Sequence, residues 1–446
     1  MVPISALGDI VSGGTPSREV SAFWNGDNCW VTPGELTSLA DRTLLDTRDH
    51  ITDAGIRNSA ATVLPVGSLL ITTRATIGAV AIAGVPVSTN QGFKSIVPNG
   101  TANSSFYYHL LKFIAAEFKR LASGSTFDEI SRADFASVLV PRPPVNDQQR
   151  IAEILDTADA MIQKSEAVIG KLRLMKAGLM HDLLTRGLDD SGQLRDFDDL
   201  EGYQNRLAVL TDSDAVVKQE GLPVGLPYPS WRMPPLRDPS VHPEQFRDSP
   251  IGRIPKDWQI TELGTAAEIK MGQSPPGSTY NNDGHGVPLI NGPVEFGRKY
   301  PNKIQWTTRP TKLCSAGDIL FCVRGSTTGR MNVSDDDFCI GRGIAAIRGK
   351  EGISVTEYIQ LFLYRLADEI LYEAKGNGST FPSINSTRLN ATTIPLPSYR
   401  EQQMICGVLK EQEACITSEE SYRDRLALQK QGLMADLLMG KISAHA

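Results

Sequence analysis

The sequence predicts an α+β molecule of two tandem, pseudo-two-fold-related domains joined by two long antiparallel helices that pair as a coiled coil. Three observations carry this reading. First, the 446-residue chain repeats itself: Gly124-Ser125-Thr126-Phe127 returns 254 positions later as Gly378-Ser379-Thr380-Phe381, and the shift holds without a gap to Leu184 and Leu438. A shared register over a whole segment argues for duplication. Second, each copy ends in a proline-free heptad run. Third, each run follows a stretch in which short β-type segments alternate with turns and one helical segment, the order expected of an α+β domain.

Within residues 1–145, Ser68–Thr72, Val80–Ile82 and Ser137–Val140 read as strands, while Gly13-Gly14-Thr15-Pro16 and Pro98-Asn99-Gly100 read as turns. Apolar residues at helical spacing (Leu110, Leu111, Ile114, Phe118, Leu121) predict one amphipathic helix over Phe106–Ala122, echoed by Val355–Ala374. The repeat also reaches Arg74-Ala75-Thr76-Ile77-Gly78 and Arg324-Gly325-Ser326-Thr327-Thr328-Gly329, at a shift of about 250, as loop insertions allow.

After Pro141-Arg142-Pro143-Pro144 the texture changes. Ile151, Leu155, Ala158, Ile162, Ser165, Ile169, Leu172, Lys176, Leu179 and Leu183 alternate at four and three, a seam of more than four heptads, with Asn146 and Gln149 placed as a capping box. The second copy gives Ile405, Leu409, Gln412, Ile416, Glu419, Arg423, Leu426, Lys430, Leu433 and Leu437. That seam carries charge and needs a partner. Pairing the two seams buries both, and pseudo-two-fold symmetry makes the pair antiparallel. The plainer alternative is a solvated helix lying on its own domain.

Six cysteines (Cys29, Cys314, Cys322, Cys339, Cys406, Cys415) lack CxxC spacing and six histidines form no ligand-spaced pair, so the expectation is reduced thiols and no metal site. No leader and no bilayer-length apolar run is evident, which predicts a cytoplasmic protein. The net charge of −6 resides between Asp189 and Glu220, where nine acids face three bases, leaving the remainder neutral. Lysine and arginine are then free to cluster on one face.

Enzyme signatures fail: there is no GxxxxGK[ST] phosphate loop and no strand-plus-GxGxxG fingerprint, and the carboxylate–lysine pairs Glu117/Lys119 and Glu373/Lys375 fall on amphipathic helices whose solvated face explains them. No catalytic residues are expected. The domains offer instead polar side chains on glycine-rich loops. Arg74 and Arg324 follow a strand in both copies, and a guanidinium there can take a phosphate or a guanine edge, with Thr76, Ser326 and Thr327 completing the contact; the alternative is an arginine paired to a carboxylate. Asn90, Gln91 and Lys94 form a second loop whose counterpart carries Arg342, and Asn or Gln suits adenine where Arg suits guanine. The repeated turns place Ser125, Thr126, Ser379 and Thr380 as phosphate contacts or as supports of the next strand.

Trp24-Asn25-Gly26 with Trp30-Val31, Arg74-Ala75-Thr76-Ile77-Gly78, Asn90-Gln91-Gly92, Gly124-Ser125-Thr126, Pro141-x-Pro143, Gln148-Gln149-x-Ile151 and Gly178-Leu179-Met180-x-Asp182-Leu183-Leu184, in that order, resemble the DNA-specificity subunit of type I restriction-modification systems. Asp248-Ser249-Pro250-Ile251-Gly252-x-Ile254-Pro255-x-x-Trp258 resembles the start of that family's second recognition domain, while Ile340-Gly341-Arg342-Gly343 departs from the Asn-Gln-Gly pattern. The resemblance implies a target-recognition domain at 1–145, a spacer helix at 146–187, a second target-recognition domain at 248–399 and a second spacer helix at 400–446, while composition marks 188–247 as an acidic and proline-rich linker that cannot bury much apolar area. It further implies that each recognition domain reads half of a bipartite, asymmetric site in double-stranded DNA. The helices would serve as spacer and dock, with Gln149, Ile151, Leu155, Ile162, Leu172, Leu179, Leu183, Gln403, Ile405, Leu409, Ile416, Leu426, Leu433 and Leu437 at the helix and partner interface. Catalysis would belong to partners: two modification (methyltransferase) subunits using S-adenosylmethionine, and restriction subunits using ATP and Mg²⁺, with no cofactor on this chain and no membrane. The rival readings are a tandem-domain restriction nuclease with an unrecognised site and a protein-interaction adaptor.

Overall fold

A computed structural model of the chain describes residues 1–39, 41–122, 129–188, 243–375 and 383–440. The acidic segment, nearly all of the 188–247 linker and the two Gly-Ser-Thr-Phe turns lie outside the described residues. The chain divides into two compact units, Met1–Val168 with Glu419–Ala446, and Ile169–Ser418. Each is α+β.

In the first unit a five-stranded sheet runs in the order Gly8–Ser12, Lys94–Pro98, Leu69–Ile71, Val80–Ala83, Thr43–Leu44, beside a three-stranded sheet of Asp49–Ile51, Trp24–Val31 and Val87–Thr89. In the second, Ala267–Met271, Ile344–Gly349, Ile319–Cys322 and Met331–Val333 form the first sheet, and Val287–Ile290 pairs parallel with Phe338–Ile340 as Trp24–Val31 does with Val87–Thr89. The strands are buried on both faces between the sheet partner and a helix. Ile10, Leu69, Ile71 and Ile96 pack on Phe106, Leu110, Phe118 and Phe135, while Leu70, Ala81 and Phe93 face Val31, Leu44 and Val87. Hence these strands are short apolar runs without strict alternation.

The helix expected over Phe106–Ala122 is two, Ser104–Phe113 and Ala115–Ala122. Ile114 adopts φ −90° and ψ 13°, outside α geometry, so the ladder breaks there. Its counterpart, Thr356–Lys375, is continuous. The strand expected over Ser137–Val140 shrinks to Leu139–Val140, because Ser131 caps a short helix, Arg132–Ser137, by accepting the Asp134 N–H.

The long helices span Val145–Thr185 and Tyr399–Leu437. They are antiparallel within each unit. In the first, Ile151, Ala152 and Leu155 share a core with Leu437 and Leu438, and Lys430 pairs with Asp159. In the second, Leu179, Leu183 and Leu184 share one with Ile405, Val408 and Leu409, and Lys176 meets Glu413 at 2.6 Å. Other polar positions in the seam find partners on the opposite helix, where Gln412 Nε2 donates to the Leu172 carbonyl at 3.3 Å and Ser165 Oγ to the Glu419 carboxylate at 2.6 Å, while Arg423 pairs with Asp424 on its own helix. Ile169, Ile416 and Leu426 are buried and Ile162 and Leu172 half-buried, as the heptads require.

Three expected interface residues point to solvent. Leu433 is exposed, since the adjacent Met434 takes the inward position. Gln149 bonds Glu153 one turn on rather than capping the helix, and Gln403 is likewise exposed. The buried glutamine is the preceding one. Gln148 Nε2 donates to the Thr101 and Pro143 carbonyls while its Oε1 accepts the Asn103 N–H; Gln402 repeats this with Ile353, Pro397 and Val355. One side chain thereby fastens each long helix to its own domain.

Candidate nucleic-acid interface

In the first unit the strand Leu69–Ile71 runs into a tight loop. The Gly78 N–H returns to the Thr72 carbonyl at 2.9 Å, and the Thr72 hydroxyl donates to the Thr76 carbonyl and accepts from the Ala79 N–H. This closes the loop around Arg74, Ala75 and Thr76, all exposed. Ala75 is left-handed at φ 64°, where its counterpart is Gly325 at φ 80°. A non-glycine residue there costs roughly 1–2 kcal/mol, so packing elsewhere holds the loop in shape. The second unit repeats it, with Gly329 N–H on the Cys322 carbonyl at 3.0 Å and exposed Arg324 and Ser326; Thr327 is half-buried and its carbonyl takes the Arg330 N–H.

The two arginines differ in what faces them. Arg74 bridges to Glu129, with Nη1 3.9 Å from the carboxylate. Arg324 bridges to Ser383 and, among the described residues, meets no carboxylate. The Arg74 pair is long and both groups are about half exposed, so it holds the guanidinium weakly.

A second loop stands beside the first in each unit. The Thr73 N–H donates to the Gly92 carbonyl at 2.8 Å, and the Val323 N–H to that of Gly343 at 2.9 Å. The Asn90 side-chain oxygen takes the Gly92 N–H at 2.8 Å, which commits half of its amide to the loop; Gln91 is exposed and accepts from the Thr15 hydroxyl. Arg342 is exposed, and its N–H donates to Ser274 Oγ at 3.1 Å. Glycine-rich turns press on both loops: a Cβ on Gly13 would sit 1.9 Å from the Asn90 carbonyl oxygen, and one on Gly272 2.2 Å from that of Gly341. Only glycine fits this approach.

Lys94 does not join the site. It is buried beneath the loop with Nζ 3.3 Å from Glu129, so its charge is spent internally. Ser125, Thr126, Ser379 and Thr380 lie outside the described residues. Arg18, which spacing gave no reason to single out, lies 3.8 Å over the Trp24 ring and 5.2 Å from that of Trp30, with Nη2 2.7 Å from Asp49. The two tryptophans were the readable part of that cluster. The two rings meet edge to face at 88°, so the Arg18 guanidinium stacks on Trp24 and is held there by Asp49, with its remaining N–H groups free to face a phosphate or a base edge. The glycine-rich loops thus present cationic and amide groups on a rigid base, and among the described residues no helix is long and apolar enough to cross a membrane.

Comparison with known proteins agrees with this geometry. The family model described as the type I restriction modification DNA specificity domain matches residues 1–172 and again 255–427. The type I restriction enzyme MjaIX specificity subunit of Methanocaldococcus jannaschii is 24% identical over 407 residues, 88% of this chain and 82% of its own length. The EcoR124I/EcoR124II specificity subunit of Escherichia coli is 31% identical over 166 residues, 35% of this chain and 40% of that protein. A chain from a structure of type I restriction-modification complex assembly and conformational transition covers 98% of this chain and 96% of its own at a TM-score of 0.56 and 22% identity, which is a likeness of fold. With the family pattern matched twice over most of its length, and with both matches falling on the repeated units, this chain belongs to the type I restriction modification DNA specificity family.

Proposed function

We propose that this chain is the non-catalytic DNA-reading subunit of a type I restriction-modification complex. Each unit reads one half of a bipartite, asymmetric site in double-stranded DNA, and the chain scaffolds two modification (methyltransferase) subunits and the restriction subunits. S-adenosylmethionine, ATP and Mg²⁺ act on those partners, and the complex works in the cytoplasm. The observation that carries the reading is a shared backbone tie under different tips: Asn90-Gln91 in one copy and Gly341-Arg342 in the other, each joined by the equivalent backbone bond to the loop of Arg74 or Arg324. A frame fixes register, and side chains at its tip select bases.

The test is a map of methylated bases in cells carrying the complete system. Arg74→Ala relaxes one half of the recognised site and Arg324→Ala the other, each by about 1–3 kcal/mol per lost bidentate contact. Unchanged methylation at every site in both variants rejects these arginines as readers. Incubating the purified chain alone with DNA and Mg²⁺ separates this reading from the tandem nuclease, since a reader leaves the DNA intact. Salt-dependent binding to duplex DNA in the assembled complex separates it from a protein adaptor.

A further inference from the structure

The first unit holds a cluster that neither the loops nor the long helices use. Cys29 and His50 are directly opposed across the antiparallel pairing of Trp24–Val31 with Asp49–Ile51, and Asp46 reaches them from the turn before His50. Cys29 Sγ lies 3.6 Å from His50 Nε2 and 3.8 Å from Asp46 Oδ1, and those nitrogen and oxygen atoms are 3.2 Å apart. A tetrahedral zinc ion, with metal–sulfur bonds of about 2.3 Å and metal–nitrogen or –oxygen bonds of about 2.0–2.1 Å, has ligand–ligand edges of about 3.3–3.6 Å. The triangle, with edges of 3.2, 3.6 and 3.8 Å, therefore needs only a slight adjustment to form one face of such a tetrahedron, and its donor chemistry suits one.

We propose that Cys29, Asp46 and His50 bind a thiophilic divalent cation of the zinc type, with water at the fourth position. The expectation of no metal site rested on spacing. The ligands come instead from two strands and a turn, at intervals of seventeen and four residues that no linear motif describes. Asp46 is held toward the site because its Oδ1 accepts the Thr47 N–H at 2.8 Å, and Thr47 is in turn buried with its hydroxyl between the Trp30 N–H and the Asp49 carbonyl. The side chain of Asp46 is 78% exposed and that of His50 30%, so the site opens to solvent on the side where a water ligand would stand.

On binding, the Cys29 thiol gives its proton to solvent and the thiolate takes the metal. Three of the other thiols are poor competitors: burial pushes Cys314 up to about 11 and Cys322 and Cys406 up to about 12. Among the described residues the second unit has no equivalent site, because the positions equivalent to Cys29 and His50 are Pro288 and Trp306. The metal would pin the segment that leads into Asp49, the partner of Arg18, and so would stiffen one recognition unit alone.

The test titrates Co²⁺ into the chelator-treated full-length chain and follows absorbance. One equivalent is expected to produce a thiolate-to-cobalt charge-transfer band with tetrahedral visible bands, displaced by Zn²⁺. Cys29→Ser keeps a hydroxyl able to bond Asp46 and His50, so a purely hydrogen-bonded cluster tolerates it; as a metal ligand its loss removes the charge-transfer band and weakens binding at least tenfold. Cys415→Ser, on the second long helix, leaves the band intact. Should Cys29→Ser not fold, Asp46→Asn on the exposed ligand carries the same tenfold criterion. Absence of saturable Co²⁺ binding, or a band that survives Cys29→Ser, overturns the proposal.

Discussion

Ser165 donates a 2.6 Å hydrogen bond to the Glu419 carboxylate, and the two residues are each other's counterpart in the 254-residue repeat. A repeated helix lying antiparallel on its own copy has one place where a residue meets its equivalent, and there a like pair must be small, flexible or complementary. Here duplication has been followed by divergence to a hydroxyl and a carboxylate. Both residues are buried, so removing the donor leaves a charge without its bond. Ser165→Ala is expected to cost about 1–3 kcal/mol in urea unfolding, and Glu419→Leu combined with it recovers much of that loss.

Gln148 and Gln402 each tie a long helix to its own domain with three hydrogen bonds. Replacement of either by Ala exposes buried carbonyl and N–H groups and lowers stability by about 2–4 kcal/mol. The exposed neighbours Gln149 and Gln403 change it by less than about 0.5 kcal/mol when replaced. Denaturation midpoints of the four variants compare them directly.

His109 is fully buried, with Nε2 2.7 Å from Asp156, Nδ1 4.0 Å from Asp159, Lys430 on Asp159 and Arg42 on Asp156. Burial pulls its pKa below the ordinary 6.5; the hydrogen bond that its Nε2 donates to Asp156 opposes that shift, and the Lys430 ammonium adds to it. The unfolded chain then binds the proton first as pH falls. The contribution of His109 is complete above about pH 6.5 and is lost as the pH drops from there toward the folded-state value. Stability measured between about pH 7 and pH 5.5 should slope downward with acid, and His109→Gln should flatten that slope.

Glu129 lies between buried Lys94 and exposed Arg74. Glu129→Gln leaves the Lys94 ammonium without a counter-charge and is expected to destabilise the first unit by about 3 kcal/mol. Ser383→Ala at the equivalent position of the second unit is exposed and should change stability by less than about 0.5 kcal/mol. Thermal melts of the two variants give the contrast.

The heptads made the helix pair legible: of the second seam only Leu433 turns outward, because long periodic helices advertise their buried face. Loop chemistry was legible in type and less so in placement. Lys94 reads as a surface cation until the strand Lys94–Pro98 is seen to be buried, and adjacent Gln148 and Gln149 are indistinguishable until helix phase assigns one inward. The Cys29, Asp46 and His50 triangle was invisible, because cross-strand register, which no local spacing encodes, creates it.

The first unit is assembled from two segments far apart in the sequence, since Leu437 and Leu438 lie in the same core as Ile4, Phe106 and Leu155. A ribosome releases Leu437 and Leu438 only after the whole of the second unit, so residues 1–168 wait without part of their core until that unit has been made. A frameshift or premature stop upstream of Leu437 would therefore damage the unit whose other residues are made first.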